Sequence, residues 1–156
     1  MGIRINGIKE VHDYLLREIQ KEISLVVESL DMIGLETVKA IRDGEVSNWD
    51  DKSGNLRSSI GYIIVVDGKI VNKGGFEAIR PGSEEGGRKG YSFASQLAPQ
   101  YPKGFALIVV AGMEYASYVE KVDSKTVLAG GELFARKKAA ELAKDLSLAL
   151  KRHQQK

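Results

Sequence analysis

The 156-residue sequence predicts an α+β fold, in which a long N-terminal helix and a C-terminal helix pack on one face of a small, mainly antiparallel sheet. Three observations support this prediction. Apolar residues recur at helical spacing near both ends of the chain, and the apolar runs between them follow the two-residue period of strands. An Asp-Gly pair separates two of these runs, as in a tight hairpin. The length fits a single domain, residues 1–156.

The first predicted helix runs from Gly7 to Asp43 and ends before Gly44, a residue suited to a helix C-terminus. Asn6 is a candidate N-cap. The apolar residues of this helix form one stripe, and their spacing averages about 3.6 residues, the α-helical period. The stripe consists of Ile8, Val11, Leu15, Ile19, Ile23, Val26, Leu30 and Ile33.

This helix is too long for the domain that contains it. A straight helix over 7–43 measures about 55 Å, whereas a domain of this size has a radius of gyration near 15 Å. We therefore expect either a break at Gly34 or a protruding end that a partner covers. Val27 and Leu35 lie off the main stripe and are candidate contact residues.

The predicted strands follow a turn-rich segment at 44–55. Leu56 to Val66 forms the first strand, and Lys69 to Val71 forms the second. The Asp67-Gly68 pair between them favours a type I′ turn, which needs positive φ at both central residues. Phe105 to Ala111 is the most apolar run and predicts a central strand buried on both faces.

Residues 74–104 predict a long flexible loop, with at most a short helix near Tyr91 to Leu97. The segment holds all three prolines and the glycine-rich stretch 82–90. A connection of this length is usually functional or mobile. It mixes basic with aromatic side chains, which makes Arg88 and Lys89 candidate contact residues. Its glutamates dilute that charge, so DNA contact stays open but is not favoured.

The C-terminal part predicts a short helix or turn at 114–121, a short edge strand at 125–128 and a last helix from about Gly131 to Arg152. The buried stripe of this helix is expected at Ala135, Ala139, Leu142, Leu146 and Leu150. From Ala129 onward seven bases stand against three acids, a net charge of +4 that leaves −2 for the rest. A solvated basic face is favoured over a polyanion contact.

The sequence contains no constellation typical of catalysis. It has no cysteine, and its two histidines, His12 and His153, lie in no metal-binding spacing. Asp50-Asp51 is interpreted as part of a solvated turn, because no third carboxylate follows at ligand spacing. The stretch 82–90 lacks the ending of a phosphate-binding loop. The sequence therefore predicts a protein that is not an enzyme and has no cofactor, no bound metal and no membrane partner, since no apolar run approaches 20 residues.

Two stretches resemble a known family. The first is Trp49-Asp-Asp-Lys-Ser-Gly-Asn-Leu-Arg-Ser-Ser-Ile-Gly-Tyr62, and the second is Leu107-Ile-Val-Val-Ala-Gly-Met-Glu-Tyr-Ala-Ser-Tyr-Val-Glu120. Together they are similar to the tail-completion or head–tail joining proteins of long-tailed double-stranded DNA bacteriophages and prophages. Two features depart from the family pattern: Glu120 is followed by Lys-Val-Asp-Ser rather than an early glycine, and the connection before the later strand is long.

The resemblance implies a structural protein of the head–tail junction or tail terminus. Such a protein assembles into a ring of its own copies and docks on connector or tail-tube proteins, in the bacterial cytoplasm during assembly and then in the virion. Trp49, Arg57, Tyr115, Tyr118 and Glu120 in the two motifs are the corresponding interface candidates. A packing role for Trp49 and for the two tyrosines is the alternative. The main alternative function is an adaptor domain of a mobile element that binds one protein partner and forms no ring.

Overall fold

The computed structural model describes residues 7–44, 51–113 and 127–154, except for the side chains at 146 and 149–154. It confirms the α+β fold. The elements in chain order are α1 (Ile8–Arg42), α2 (Asn55–Ser59), β1 (Ile60–Val66), β2 (Lys69–Gly75), α3 (Glu84–Leu97), a 3₁₀ turn (Ala98–Gln100), β3 (Phe105–Ala111) and α4 (Ala129–Gln154). The predictions for Asn6, Trp49, Asp50, Tyr115, Tyr118 and Glu120 lie outside the described residues.

Helix α1 passes through Gly34 without a break, so the predicted break is wrong. The glycine serves packing instead. A Cβ at this position would lie 2.6 Å from Cδ2 of Tyr62, closer than side chains pack. Glycine thus allows the helix to lie directly against an aromatic ring of β1. At its end, Gly44 has φ of 80° and follows Asp43, whose N–H donates to the Lys39 carbonyl, as expected for a glycine-terminated helix.

The sheet has three antiparallel strands among the described residues, in the order β2-β1-β3. Asp67 and Gly68 have φ of 49° and 79°, which confirms the hairpin with positive φ at both turn positions. The prediction that Phe105–Ala111 is the central strand is wrong. β1 pairs with both neighbours and is buried over Ile60–Val65, whereas β3 begins exposed at Phe105.

Two apolar cores lie on opposite faces of the sheet. The first lies between the sheet and α1, and it includes Val38, Ile41, Ile60, Tyr62 and Ile64. The second lies beneath α3 and includes Ile63, Val65, Ala94, Ile108 and Val110. The alternation of residues along β1 explains both sets, because neighbouring side chains of a strand point to opposite faces. The protein is therefore built as helix, sheet and helix.

Helix α3 occupies the middle of the segment 74–104, which was predicted to be a long flexible loop. The glycines of this segment misled the sequence argument, because glycine disfavours isolated helices. Here Gly86, Gly87 and Gly90 form the buried side of α3. A Cβ at each would lie 2.2 Å or less from the backbone carbonyl oxygen of Asn55, Phe76 or Ser59, respectively. Tertiary contact with the backbone therefore outweighs the low propensity.

Helix α2 occupies the start of the predicted first strand. Asp51 accepts hydrogen bonds from the N–H groups of Gly54 (2.9 Å) and Arg57 (2.8 Å), so its carboxylate caps the turn. Ser53 Oγ also accepts from the Asn55 N–H, 3.1 Å away. Ser59 is buried, and its hydroxyl donates to the Leu56 carbonyl.

The described contacts of α4 with α1 lie in the first half of α4. A Cβ at Gly131 would lie 2.3 Å from Cδ1 of Ile41, and Lys138 Nζ lies 3.1 Å from Glu36 Oε2. Going forward along α4 therefore leads backward along α1, as in an antiparallel pair. Ala139, predicted to be buried, is exposed. No helix in the described part of the chain is long and apolar enough to cross a membrane.

Candidate interaction surface

The outer half of α1, residues 8–25, carries exposed apolar side chains. At 1.5 Å per residue, this half is about 27 Å long. Ile8, Val11, Tyr14, Leu15, Leu16, Ile19 and Leu25 each expose more than half of their surface. A large exposed apolar patch on a globular protein marks an interaction site more often than a solvated surface. We call residues 8–25 the outer half of α1 below.

The exposed stripe continues the buried face of the same helix. Ile8, Ile19, Leu30 and Ile41 are spaced by 11 residues, close to three helical turns, so they share one side. Ile41 is fully buried and Leu30 is half-buried, whereas Ile19 is 54% exposed and Ile8 is 61% exposed. The face that packs on the sheet thus extends beyond it without cover in the described structure. This protruding end is the second of the two outcomes that the length of the helix predicts.

The two candidate residues of α1 differ in exposure. Leu35 is 52% exposed, as expected for a contact residue. Val27 is half-buried and packs against the first core, which also places it in a groove between α1 and the β1–β2 hairpin. Val27 is therefore only partly available to a neighbour, because the helix still touches the sheet at this point.

Leu35 and Arg57 line one cleft of about 780 Å³, between α1 and the β2 strand. At its base, the hydroxyl of Tyr62 donates a short hydrogen bond to Oδ1 of Asp31. Asn72 Nδ2 donates to the same oxygen at 2.9 Å. The carboxylate therefore links α1 to both β1 and β2. Burial, reinforced by the hydrogen bond to Asp31, raises the pKa of Tyr62 and keeps the phenol protonated.

Arg42 closes the other side of this cleft. Its Nε donates to the Arg57 carbonyl at 2.9 Å and its Nη2 donates to the Ile60 carbonyl at 2.7 Å. Nη1 lies 4.0 Å from the exposed Glu77 carboxylate. Burial lowers the pKa of Arg42, but it remains a guanidinium, since arginine does not lose its proton in proteins. The contacts fasten the last turn of α1 to the start of β1.

The cleft residues Asp31, Arg42, Tyr62 and Asn72 were missed by the sequence argument. They come from three separate elements and form no motif. The only local signal was a pair of charged residues, Asp31 and Arg42, near the buried side of a helix that is otherwise apolar there. All their described hydrogen bonds join parts of the fold, so this cleft is best explained as a structural junction.

Arg88 and Lys89 lie on the solvent side of α3, across the sheet from the outer half of α1. Lys89 Nζ lies 3.0 Å from Glu85 Oε1, one helical turn away. This ion pair lowers the pKa of Glu85, through the hydrogen bond first and the charge second. Arg88 and Lys89 line a groove on α3 with Glu85 and Ser92, whereas Leu35 and Arg57 line the cleft beside α1.

Within the described ranges, no three His, Cys, Asp or Glu side chains stand close enough to hold a metal ion. Nδ1 of His12 lies 3.5 Å from Oδ1 of the adjacent Asp13, on the exposed side of α1. The arrangement of described side chains suits packing and association.

Comparisons with known proteins returned no relative. No protein-family model, no curated protein and no solved structure matches the chain.

Proposed function

We propose that this chain is a structural protein of a phage or prophage, at the head–tail junction or the tail terminus. It acts by assembling with its own copies and docking on connector or tail-tube proteins. The observation that carries the association part of this proposal is the uncovered apolar stripe on the outer half of α1. The phage setting rests on the resemblance of the two motifs at 49–62 and 107–120.

The first motif has a structural explanation that is compatible with this function. Asp51, Ser53 and Gly54 build the capped turn of α2, and Leu56 is buried. Arg57 is held through its backbone by Asp51 and Arg42. The motif therefore sets the position at which α1, α2 and β1 meet, and so the direction in which the outer half of α1 projects.

The alternative is an adaptor domain of a mobile element that binds one protein partner and forms no ring. The same exposed stripe supports this alternative. The two functions predict different masses for the isolated protein in solution, because an adaptor stays monomeric without its partner. Light scattering across a concentration series separates them.

The decisive test is complementation of the parent phage or prophage with Ile19→Asp. This substitution places a charge on the exposed stripe, far from both cores. Gln20→Asp is the matched control, since it adds the same charge on the same turn at an exposed polar residue. We expect Ile19→Asp to fold but to block joining of heads and tails, and Gln20→Asp to complement. Normal particle yield with Ile19→Asp would refute the proposal.

A further inference from the structure

Strand β3 forms an open edge of the sheet. The order β2-β1-β3 gives it a neighbour on one side only among the described residues. It pairs with β1 residue for residue from Phe105 to Ala111, without a bulge. None of its residues is charged, and none is proline. Lysine, proline and bulges are the usual features that keep an edge strand from pairing with another chain, and β3 has none of them.

Alternate residues of β3 direct their backbone groups away from β1. The N–H of Asp67 donates to the Gly104 carbonyl at 2.9 Å, and the N–H of Gly112 donates to the Ser59 carbonyl at 3.2 Å. Bonded positions alternate along an antiparallel pair, so the even-numbered residues of β3 face β1. The odd-numbered residues face the open edge, and their N–H and C=O groups have no partner in the described part of the chain. We call these residues the outward set: Phe105, Leu107, Val109 and Ala111.

The opposite edge, at β2, is closed in three ways. The pairing register shifts between Ile64 and Val65 of β1, which marks a bulge. Lys69 and Lys73 place charge on the strand. The N–H of Lys73, which faces away from β1, already donates to the side-chain oxygen of Asn72 at 2.9 Å. The contrast between the two edges favours β3 as the one that accepts a further strand.

A largely apolar groove of about 550 Å³ runs beside the open edge. Leu107 and Val109 line it from the strand, and Leu30 and Ala135 line it from the two helices. Both strand residues are half-buried against the first core. A strand added at this edge would place every second side chain next to the groove, so its alternate residues should be apolar.

The backbone groups of the edge specify its occupant. A row of N–H and C=O groups is complemented by another extended backbone, and an uncharged strand is suited to a second uncharged strand. Strand β3 of a second copy meets these requirements together with the apolar alternation. It is also already extended, whereas a flexible peptide loses conformational freedom when it pairs.

We propose that β3 of a second copy of this chain pairs antiparallel with β3, about a twofold axis at Ile108. Aligning the full length of both strands places Leu107 opposite Val109 and Phe105 opposite Ala111. Each member of the outward set then donates one hydrogen bond and accepts one, and the two sheets become continuous. The inference rests on the self-association in the proposed function and names a surface for it that is separate from the outer half of α1.

Amide hydrogen exchange, measured by NMR at low and high protein concentration, tests the pairing directly. In the dilute chain the amides of Leu107 and Val109 should exchange faster than those of Ile108 and Val110, which face β1. Association should slow the outward amides at least about tenfold and remove this alternation. Outward amides that are already slow in the dilute monomer would overturn the proposal, because the edge would then be covered within one chain.

A mixture of isotope-labelled and unlabelled chains identifies the partner strand. We expect cross-peaks between the methyl groups of Leu107 in one copy and Val109 in the other, as for residues directly opposite each other in a sheet. Slowed outward amides with cross-peaks to any other segment of the second copy would overturn the choice of β3 as the occupant.

Val109→Pro removes an outward N–H but none of the bonds between β3 and β1, and an edge strand tolerates proline at such a position. The dissociation constant should rise at least about tenfold, because a donor is lost and the ring obstructs the second strand. Lys73→Pro is the matched control, since it removes an outward N–H at the closed edge; it should leave the constant within about threefold of the parent. Urea melts check that both variants fold, and the exchange measurement on the unaltered chain decides the matter if either does not.

The outcomes separate this inference from the function beneath it. If the chain associates while its outward amides stay fast, or if Val109→Pro folds and associates as the parent does, the inference fails and self-association stands. A chain that remains monomeric at every concentration would refute both the inference and the assembly part of the proposed function.

Discussion

Gly87→Ala tests how α3 is held on the sheet. The new Cβ would lie 1.9 Å from the carbonyl oxygen of Phe76, and real Cβ atoms do not approach within 3.0 Å. The helix or the Phe76 backbone must therefore move by about 1 Å. The neighbouring atom belongs to the backbone, so no side-chain rotation relieves the clash. Phe76 itself has φ of 65° and little freedom to adjust.

Two opposing effects determine how much Gly87→Ala changes the free energy of unfolding. Overpacking a tight contact costs about 1–3 kcal/mol, and a clash with backbone belongs at the upper end. Alanine gains about 1 kcal/mol over glycine in helix propensity. We expect the sum to lower the free energy of unfolding by about 2 kcal/mol. With a urea m-value of about 1–3 kcal/mol/M, the midpoint should fall by roughly 1 M.

Urea unfolding followed by circular dichroism measures this change. Ser92→Ala on the exposed side of the same helix is the control, and it should stay within about 0.5 kcal/mol of the parent. Gly82→Ala is a second control, which distinguishes backbone strain from steric clash. Gly82 has φ of 89°, but no atom lies within 4 Å of its added Cβ, so this substitution strains the backbone without a clash. If Gly87→Ala proves as stable as the parent, the close packing of α3 on the Phe76 backbone is incorrect.

Three further predictions concern the cleft and the segment around α3. Tyr62 has a raised pKa from burial and its bond to Asp31, so its stabilising effect is complete below the unfolded value of about 10 and declines as pH rises beyond it; Tyr62→Phe should remove that part of the loss above about pH 10 in urea melts. Arg42→Lys should lower the free energy of unfolding by about 1–3 kcal/mol, since lysine cannot bond both carbonyls in the arginine geometry; a change below 0.5 kcal/mol by the same measure would contradict the clamp. In amide hydrogen exchange, residues 88–97 should be better protected than residues 77–83, and equal protection would argue against a stable α3.

Much of the fold was predictable because its signals are local. The period of α1, the Asp-Gly hairpin and the apolar run of β3 each depend on residues close together in sequence. The prediction failed where a distant element decides the outcome. Gly34 looked like a break but accommodates Tyr62, and the glycines of α3 looked like a loop but accommodate backbone carbonyls.

The candidate interaction surface was likewise predictable only where its signals are local. The unusual length of the apolar stripe predicted either a break at Gly34 or a protruding end, since a period and a domain size are enough for that choice, but it did not decide between the two. Which off-stripe residues of α1 are exposed depends on the side of the helix that faces the sheet, so Val27 is half-buried against the first core whereas Leu35 is exposed. The cleft around Asp31 and Arg42 needed three elements to be placed together.

The close contact between Gly34 and Tyr62 has a mechanical consequence. Ile8 lies 26 residues before Gly34, which is about 39 Å along a rigid helix. Helix α1 therefore behaves as a lever with its fulcrum at the sheet, and a tilt of about 5° at the fulcrum displaces the tip by roughly 3 Å. A bulkier residue at position 34 would mainly change the direction in which the N-terminal end of α1 points. In any assembly of these chains, the position of the N-terminal end of α1 would thus depend on a glycine far from the surfaces in contact.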